Sequence, residues 1–210
     1  MHLDVLTREQ TELLPFLSQF AKRYYLVEVT AVALQLGHRQ SIDIDLFTTS
    51  TIQRVKLRKC VEQSGFTSRL LGEDVDQTHF GVHGVKVTFF AFPYQVDHPV
   101  WLDKVLSMPS LLSLAAMKAF ALGRRAKWKD YVDLFFLLRD TCPLQTICQE
   151  TGRIFGGGFS DRLFRGQLSY HADIDYARPS TSCPVLPSIR RPSARFWSTV
   201  PWRTSFEPAA

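Results

Sequence analysis

The fold is decided by residues 24–47, YYLVEVTAVALQLGHRQSIDIDLF. The pattern predicts a strand, a turn, a short apolar helix, a basic turn and a second strand. In the second strand Asp43 and Asp45 stand two residues apart, which places both on one face, while Ile44 and Leu46 take the other. Two adjacent carboxylates repel each other unless a cation lies between them, and Mg²⁺ prefers such ligands. The pair therefore predicts a Mg²⁺ site, and a solvated or salt-bridged pair of acids is the alternative.

Length and composition predict a globular protein. The chain has 210 residues, of which 45% are hydrophobic and 21% charged, enough for one ordinary domain or a domain with an appendage. No apolar run reaches the length of a membrane-spanning helix, and the first residues lack the pattern of a signal peptide. The four cysteines form no CxxC pair, which is typical of free thiols in a reducing compartment. We therefore expect a cytoplasmic protein without membrane contact.

The composition changes after Tyr176. Residues 177–210 contain six of the 11 prolines, five arginines and a single acid, and they show no helical or strand period. Such a segment cannot build a packed core, so we predict a disordered, basic, Pro/Ser-rich tail. The net charge of +5 belongs largely to this tail and is weak evidence that the rest of the chain binds nucleic acid.

The first 109 residues predict an α/β part with a mixed or antiparallel sheet. Besides the opening stretch, the elements expected here are a helix capped by Thr7, a helix from Ser50 or Thr51 to about Gln63, and strands at 66–71, 79–82 and 85–92. The last of these, VKVTFFAF, is the most hydrophobic and is predicted to be central.

From residue 110 to 176 the period becomes helical. Ser110 is the expected cap of the first helix, and further helices are predicted at 127–138, 143–155 and 160–170. Gly156, Gly157 and Gly158 predict an interhelix turn, because no Lys-Ser/Thr pair follows them as in a P-loop. Together the patterns predict an α+β protein with a helical C-terminal part.

Two blocks of the chain resemble the AbiEii/AbiGii toxin family of nucleotidyltransferases. In that family a Gly-Gly-Thr/Ser turn precedes ALxLGHR and a DxD strand, and this chain has VEVTAVALQLGHRQSIDID at residues 27–45. The family also has an AAMK helix followed by KDxxDL, which matches residues 113–138, SLAAMKAFALGRRAKWKDYVDLFFLL. Residues 155–176 resemble its C-terminal helical part more weakly. The resemblance covers about three quarters of the chain.

The resemblance implies a nucleotidyltransferase-like fold and a toxin of a toxin–antitoxin system. Members bind an NTP with Mg²⁺, and some transfer nucleotides to the acceptor end of tRNA, so a cognate antitoxin is an expected partner. By position, Asp43 and Asp45 hold the metal, Lys118 contacts the triphosphate, and Lys129 and Asp130 complete the site. Arg39, in the turn before the DxD strand, is expected to bind phosphate or to pair with an acid such as Asp45.

Two departures from the family pattern bear on catalysis. Glu28 and Val29 replace the Gly-Gly step, which would allow positive φ and close approach of phosphates, so that only Thr30 remains to donate a hydroxyl. Thr88 occupies the strand position where many polymerase-like transferases carry a third carboxylate, and Asp130 is the candidate substitute. Because of these departures, an alternative is a catalytically degenerate family member that binds a nucleotide or a partner. A further alternative is a small-molecule adenylyltransferase, which would use the same DxD pair.

Other polar residues have simpler interpretations. Lys129 and Asp133 are four residues apart on a predicted helix, and a surface ion pair is an alternative to a role in the site. His79 and His83 alternate along a predicted strand, but without a third ligand a zinc site is disfavoured. Cys60 has no histidine partner and is expected to be a buried thiol.

Overall fold

A computed structural model describes residues 1–170, so the tail predicted at 177–210 lies outside the described residues. The chain forms two units, one comprising Met1–Ser110 and the other beginning at Leu111. Within the described residues, no helix is both long and apolar enough to span a membrane.

The first unit is built on a five-stranded mixed sheet. Its strands are β1 (Tyr25–Val27), β2 (Asp43–Thr48), β3 (Ser68–Glu73), β4 (Gln77–Val82) and β5 (Val85–Ala91). Their order is β1-β2-β5-β4-β3, with β2 and β5 parallel and the other neighbours antiparallel. The most hydrophobic strand, β5, is central as predicted. A two-stranded sheet of β6 (Val100–Leu102) and β7 (Leu106–Met108) was not predicted, because three-residue strands carry too little periodicity.

Three helices belong to this unit: α1 (Arg8–Leu17), α2 (Glu28–Leu36) and α3 (Arg54–Glu62). Gly37 ends α2 in the left-handed conformation, which glycine adopts without a Cβ clash. The predicted start of α3 at Ser50 or Thr51 is wrong. Residues 49–53 are not helical, and Ile52 among them turns into the core with 8% exposure.

The core of the first unit is centred on Phe89 of β5. Its side chain is fully buried, and its ring meets Phe20, Tyr24 and Phe80 edge-on at centroid distances of 5.0, 5.1 and 6.2 Å. Edge-to-face aromatic pairs each contribute about 0.5–1.5 kcal/mol beyond the area they bury. These contacts therefore pack β4 and β5 against Phe20 and Tyr24, which precede β1 in the chain.

The second unit is helical over its described residues. It contains α4 (Leu111–Leu122), α5 (Trp128–Asp140), α6 (Leu144–Phe155) and α7 (Asp161–Ser169), and the glycines between α6 and α7 form the predicted turn as one short 3₁₀ helix. Helix α4 packs against the other three. Phe120 stacks on Phe155 at 3.9 Å, and the Tyr131 hydroxyl donates to the Gln167 carbonyl at 3.0 Å.

The backbone at Glu28, where β1 passes into α2, adopts a positive φ of 58°. The replacement of the family's glycines by Glu28 and Val29 was expected to disfavour positive φ at this step, but the structure places a positive φ on Glu28. Val29 is not among the described non-glycine residues with positive φ. A side chain in this region costs roughly 1–2 kcal/mol, so Glu28 is held there by its surroundings.

We expect Glu28→Gly to raise the free energy of unfolding by up to about 1 kcal/mol, because glycine adopts positive φ without a Cβ clash. Urea unfolding followed by circular dichroism measures this. Gly37→Ala is the matched control: φ is 68° there and an added Cβ would lie 2.6 Å from His2 Nδ1, so the sign should reverse. A Glu28→Gly protein less stable than the parent would contradict the assigned strain.

Candidate functional site

The backbone at Asp43 is held from two directions. Its carbonyl oxygen accepts a hydrogen bond from the Thr30 hydroxyl of α2 at 2.5 Å and another from Gln10 Nε2 of α1 at 3.3 Å. Thr30 Oγ1 also lies 2.8 Å from Ser41 Oγ. Both donors are buried, with Thr30 2% and Gln10 0% exposed. The start of β2 is therefore anchored to two helices through polar groups that water does not reach.

Gln10 serves two purposes at once. Its side-chain Oε1 accepts from the Thr7 backbone N–H at 2.9 Å. The backbone N–H of Gln10 donates to Thr7 Oγ1, which completes a capping box at the start of α1. The side-chain amide of Gln10 also donates from Nε2 to the Asp43 carbonyl. The sequence gives no sign of the contact between Gln10 and Asp43, because a contact across 33 residues leaves no local signal.

The two carboxylates lie on one face of β2. Asp43 and Asp45 are half-buried, while the intervening Ile44 is 2% exposed and Leu46 is fully buried. The alternation matches the pattern predicted from sequence. The two carboxylates thus share one half-buried face of a strand that is anchored at the Asp43 carbonyl.

The donor set fits a particular kind of metal. Among residues 1–170 no group of three His, Cys, Asp or Glu side chains is placed to hold a metal ion. Mg²⁺ in nucleotide enzymes is typically bound by one or two carboxylates and takes its other ligands from water and substrate phosphates. Asp43 and Asp45 fit such an ion and do not form a cage made of protein alone.

A hydroxyl and an imidazole continue the row across the sheet. Asp45 is paired in register with Thr88 of β5, and Thr88 with His79 of β4. His79 Nδ1 lies 3.1 Å from Thr88 Oγ1. Burial lowers the pKa of His79, and nearby Lys86 lowers it further, so the ring is neutral near pH 7. The strand position where a third carboxylate was expected thus lies opposite Asp45. It is occupied by Thr88, which is hydrogen-bonded to His79.

Sequence reasoning missed this pair, although the signal was present. His83 and Gly84 both have positive φ and form the two-residue turn between β4 and β5, so that Val82 pairs with Val85. Counting outward from that turn sets His79 opposite Thr88. His83 itself pairs with Glu12 at 2.6 Å.

Thr30 and Arg39, the other predicted nucleotide contacts of the first unit, are both buried. The Thr30 hydroxyl lies within hydrogen-bonding distance of the Asp43 carbonyl and of Ser41 Oγ, so Thr30 positions β2 in this structure. Arg39 is 3% exposed in the turn between α2 and β2. Their contacts with a nucleotide stay predictions.

A buried ion cluster lies in the second unit. The Lys118 ammonium on α4 is 2.9 Å from Asp130 Oδ1 and 3.2 Å from Asp133 Oδ2, both on α5. Arg125 Nε is 3.1 Å from Asp130 Oδ2. Lys118, Asp130 and Asp133 are no more than 3% exposed. Two cations thus neutralise two carboxylates that are withdrawn from water.

The electrostatics keep Asp130 ionised. Burial by itself would raise the pKa of Asp130, but the charges of Lys118 and Arg125 outweigh it and lower the pKa below its ordinary value. The alternative of a surface ion pair between Lys129 and Asp133 is wrong, because Asp133 is fully buried and lies against Lys118. Lys129 is half-buried at the start of α5.

The predicted residues thus form two groups, each described within its own unit. Asp43, Asp45 and Thr30 come together around the start of β2 in the first unit. Lys118 and Asp130 come together in the second. Their roles toward an NTP stay predictions.

Lys118→Met should lower the free energy of unfolding by about 3–5 kcal/mol, because it leaves buried carboxylates without their cation. Lys127→Met, which removes an exposed lysine just before α5, is the matched control and should cost little. Urea unfolding near pH 7 measures both.

The same cluster predicts acid sensitivity. Because the folded pKa of Asp130 lies below the ordinary 3.8, its stabilisation is complete above that pH and is lost as the pH falls through the folded value. Asp130→Asn should remove this part of the acid dependence. Equal stability of the Lys118→Met and Lys127→Met proteins would contradict the assigned cluster.

Comparison with known proteins supports the fold. No family model matches the chain. An uncharacterized protein of Aquifex aeolicus (strain VF5), aq_aa25, is 29% identical over 120 residues, which are 55% of this chain and 58% of that protein. The chain thus spans less than two thirds of the length of this curated relative.

Among solved structures, the chain is similar to MenT4, a nucleotidyltransferase toxin from Mycobacterium tuberculosis H37Rv. The TM-score is 0.61 at 18% identity, covering 92% of this chain and 79% of MenT4. JHP933 from Helicobacter pylori gives a TM-score of 0.50 at 16% identity, covering 69% and 73%. The predicted α+β, nucleotidyltransferase-like fold class is confirmed, and the fold is similar to that of MenT4.

Proposed function

We propose that this protein is a nucleotidyltransferase of the toxin type, which transfers a nucleotide from an NTP to an acceptor. The observation that carries the proposal is the Asp43/Asp45 pair, half-buried on a strand anchored by Thr30 and Gln10, in a nucleotidyltransferase fold. Mg²⁺ as the ion belongs to the proposal and rests on the two carboxylates and on the family resemblance. The tRNA acceptor and a cognate antitoxin also belong to the proposal and come from the resemblance alone.

In this proposal Asp43 and Asp45 hold the ion. When bound, Mg²⁺ would neutralise triphosphate charge and help to orient the reacting phosphate. The acceptor hydroxyl attacks the α-phosphorus, the bond from that phosphorus to the bridging oxygen breaks, and pyrophosphate leaves. The chain's own contribution is to fix the two carboxylates, since the rigid carbonyl of Asp43 limits the positions of its side chain.

The acceptor hydroxyl must lose a proton, and the residues present differ in their ability to take it. Asp130 is disfavoured as a base, because its pKa is lowered by Lys118 and Arg125. Thr88 cannot act as a base at neutral pH, but it shares a hydrogen bond with His79, which is neutral and can accept a proton. We assign the proton to the Thr88–His79 pair within this proposal.

The direct test is Mg²⁺-dependent incorporation of label from α-³²P-labelled NTPs into total tRNA. Asp43→Asn and Asp45→Asn should each reduce incorporation by at least about 100-fold, more than the loss of an outer-shell partner of a metal. Asp103→Asn is the matched control, since Asp103 is exposed between β6 and β7 at a φ of 40° that asparagine tolerates well. Incorporation that survives both substitutions would refute the assigned site.

The degenerate alternative also has a structural observation in its favour. Glu28 brings a carboxylate to the step where the family has glycines, and a carboxylate repels a triphosphate. The positive φ of 58° at this step is retained, so charge and bulk distinguish this turn from a Gly-Gly turn.

Replacing Glu28 and Val29 by glycine separates the two functions. If the parent chain is inactive and the Gly-Gly variant incorporates label, the parent is a degenerate binding protein. If both are equally active, the turn does not limit catalysis and the transferase proposal stands. The Asp43→Asn substitution within the Gly-Gly variant is the control that any gained activity uses the same site.

A further inference from the structure

A second pocket opens in the first unit, beside the end of β2 that is remote from Asp43. Its volume is about 190 Å³, and its walls come from the segments at 21–25, 48–50 and 95–98. Thr48 at this pocket lies five residues beyond Asp43, about 16 Å along the strand. The pocket is therefore distinct from the candidate site at the two carboxylates.

The pocket carries positive charge. Lys22 and Arg23 line it, and none of the described residues that line it is Asp or Glu. Asp97 is adjacent in sequence to His98 but is not among the lining residues. The Arg23 guanidinium is steadied by donating a hydrogen bond to the Thr51 carbonyl at 3.2 Å. Two cations in a lining that contains no carboxylate favour an anion.

Donors without charge complete the lining. Thr49 and Ser50 are exposed at the pocket, and each offers a hydroxyl that can donate. The Ser50 backbone N–H donates to Thr48 Oγ1 at 3.1 Å, which fixes the turn that carries them. Hydroxyl donors that line a pocket together with two cations are typical of sites for oxyanions.

The Tyr25 hydroxyl is the independent observation. Tyr25 lines the pocket and is 3% exposed, and within the described residues its hydroxyl has no hydrogen-bond partner. Its ring stacks on His98 at 4.6 Å with an interplanar angle of 8°. A buried hydroxyl without a partner costs about 1–3 kcal/mol, and such a group calls for a partner that the described residues do not supply. Burial raises the pKa of Tyr25, so the hydroxyl keeps its proton and can donate it.

We propose that this pocket binds a phosphate group, with the Tyr25 hydroxyl as a donor and Lys22 and Arg23 as the compensating charges. The pocket is too small for a whole drug-sized ligand, whose sites are about 300–1,000 Å³, and suits one phosphate group with little attached. The phosphate is that of a small molecule or of an RNA backbone. The site stands independently of the proposed transferase activity.

The experiment titrates the full-length protein with inorganic phosphate, and separately with a short single-stranded RNA, while ¹H–¹⁵N spectra are recorded. Chloride at matched ionic strength is the reference. We expect saturable shifts at the amides of residues 22–25 and 48–50. Tyr25→Phe removes only the hydroxyl and should weaken phosphate binding about tenfold, the equivalent of one hydrogen bond to a charged group. Because it deletes an unsatisfied group, it should leave the melting temperature unchanged or raise it.

Matched variants separate the site from general effects. Lys22→Gln should weaken binding, whereas Lys59→Gln, on the exposed side of α3, and Tyr170→Phe, whose residue is 56% exposed, should not. Shifts with both ligands that Tyr25→Phe weakens assign the pocket to an RNA backbone, and shifts with phosphate alone assign it to a small phosphorylated molecule. The proposal is overturned if phosphate gives no saturable shifts, or if Tyr25→Phe lowers stability and leaves binding unchanged.

Discussion

The hydrogen bonds on the Asp43 carbonyl are the constraint on which the first unit depends. They join α1, α2 and β2 at a single oxygen, through Thr30 and Gln10. Because both donors are buried, the loss of either would leave a polar group unsatisfied away from water. The position of the acidic strand is thus set by the two helices that donate to the Asp43 carbonyl.

Local patterns in the sequence were enough for most of the fold. The acidic strand, the left-handed end of α2 at Gly37 and the central position of β5 follow from short-range chemistry, namely alternation, glycine conformation and hydrophobicity. The start of α3 was misplaced because burial of Ile52 overrides the capping preference of Ser50 and Thr51. Strands β6 and β7 are too short for a period to appear.

The candidate functional residues also fall into two groups, one that local spacing predicts and one that depends on contacts between elements. The spacing within β2 predicted the face shared by Asp43 and Asp45, because it is a property of one strand. The Thr88–His79 pair depends on the register of two strands, and the cluster of Lys118 with Asp130 and Asp133 depends on the packing of two helices. A spacing of four residues suggested a surface pair, whereas burial decided the actual partner. Contacts across elements become predictable only where a tight turn sets the register.

Glu28 changes how the departure from the family pattern is understood. From sequence, the loss of glycines implied a changed backbone, since valine resists positive φ. In the structure the positive φ of 58° falls on Glu28, so this step has the left-handed conformation that glycine adopts freely. The difference from a Gly-Gly turn is therefore a half-buried carboxylate and its Cβ, together with about 1–2 kcal/mol of conformational cost. A turn that keeps its path but carries a negative charge limits phosphate approach by electrostatics, and a cation held by Asp43 and Asp45 would offset that repulsion. In the proposed transferase, activity would therefore depend on the balance between one added carboxylate and the charge of a cation bound by the acidic pair.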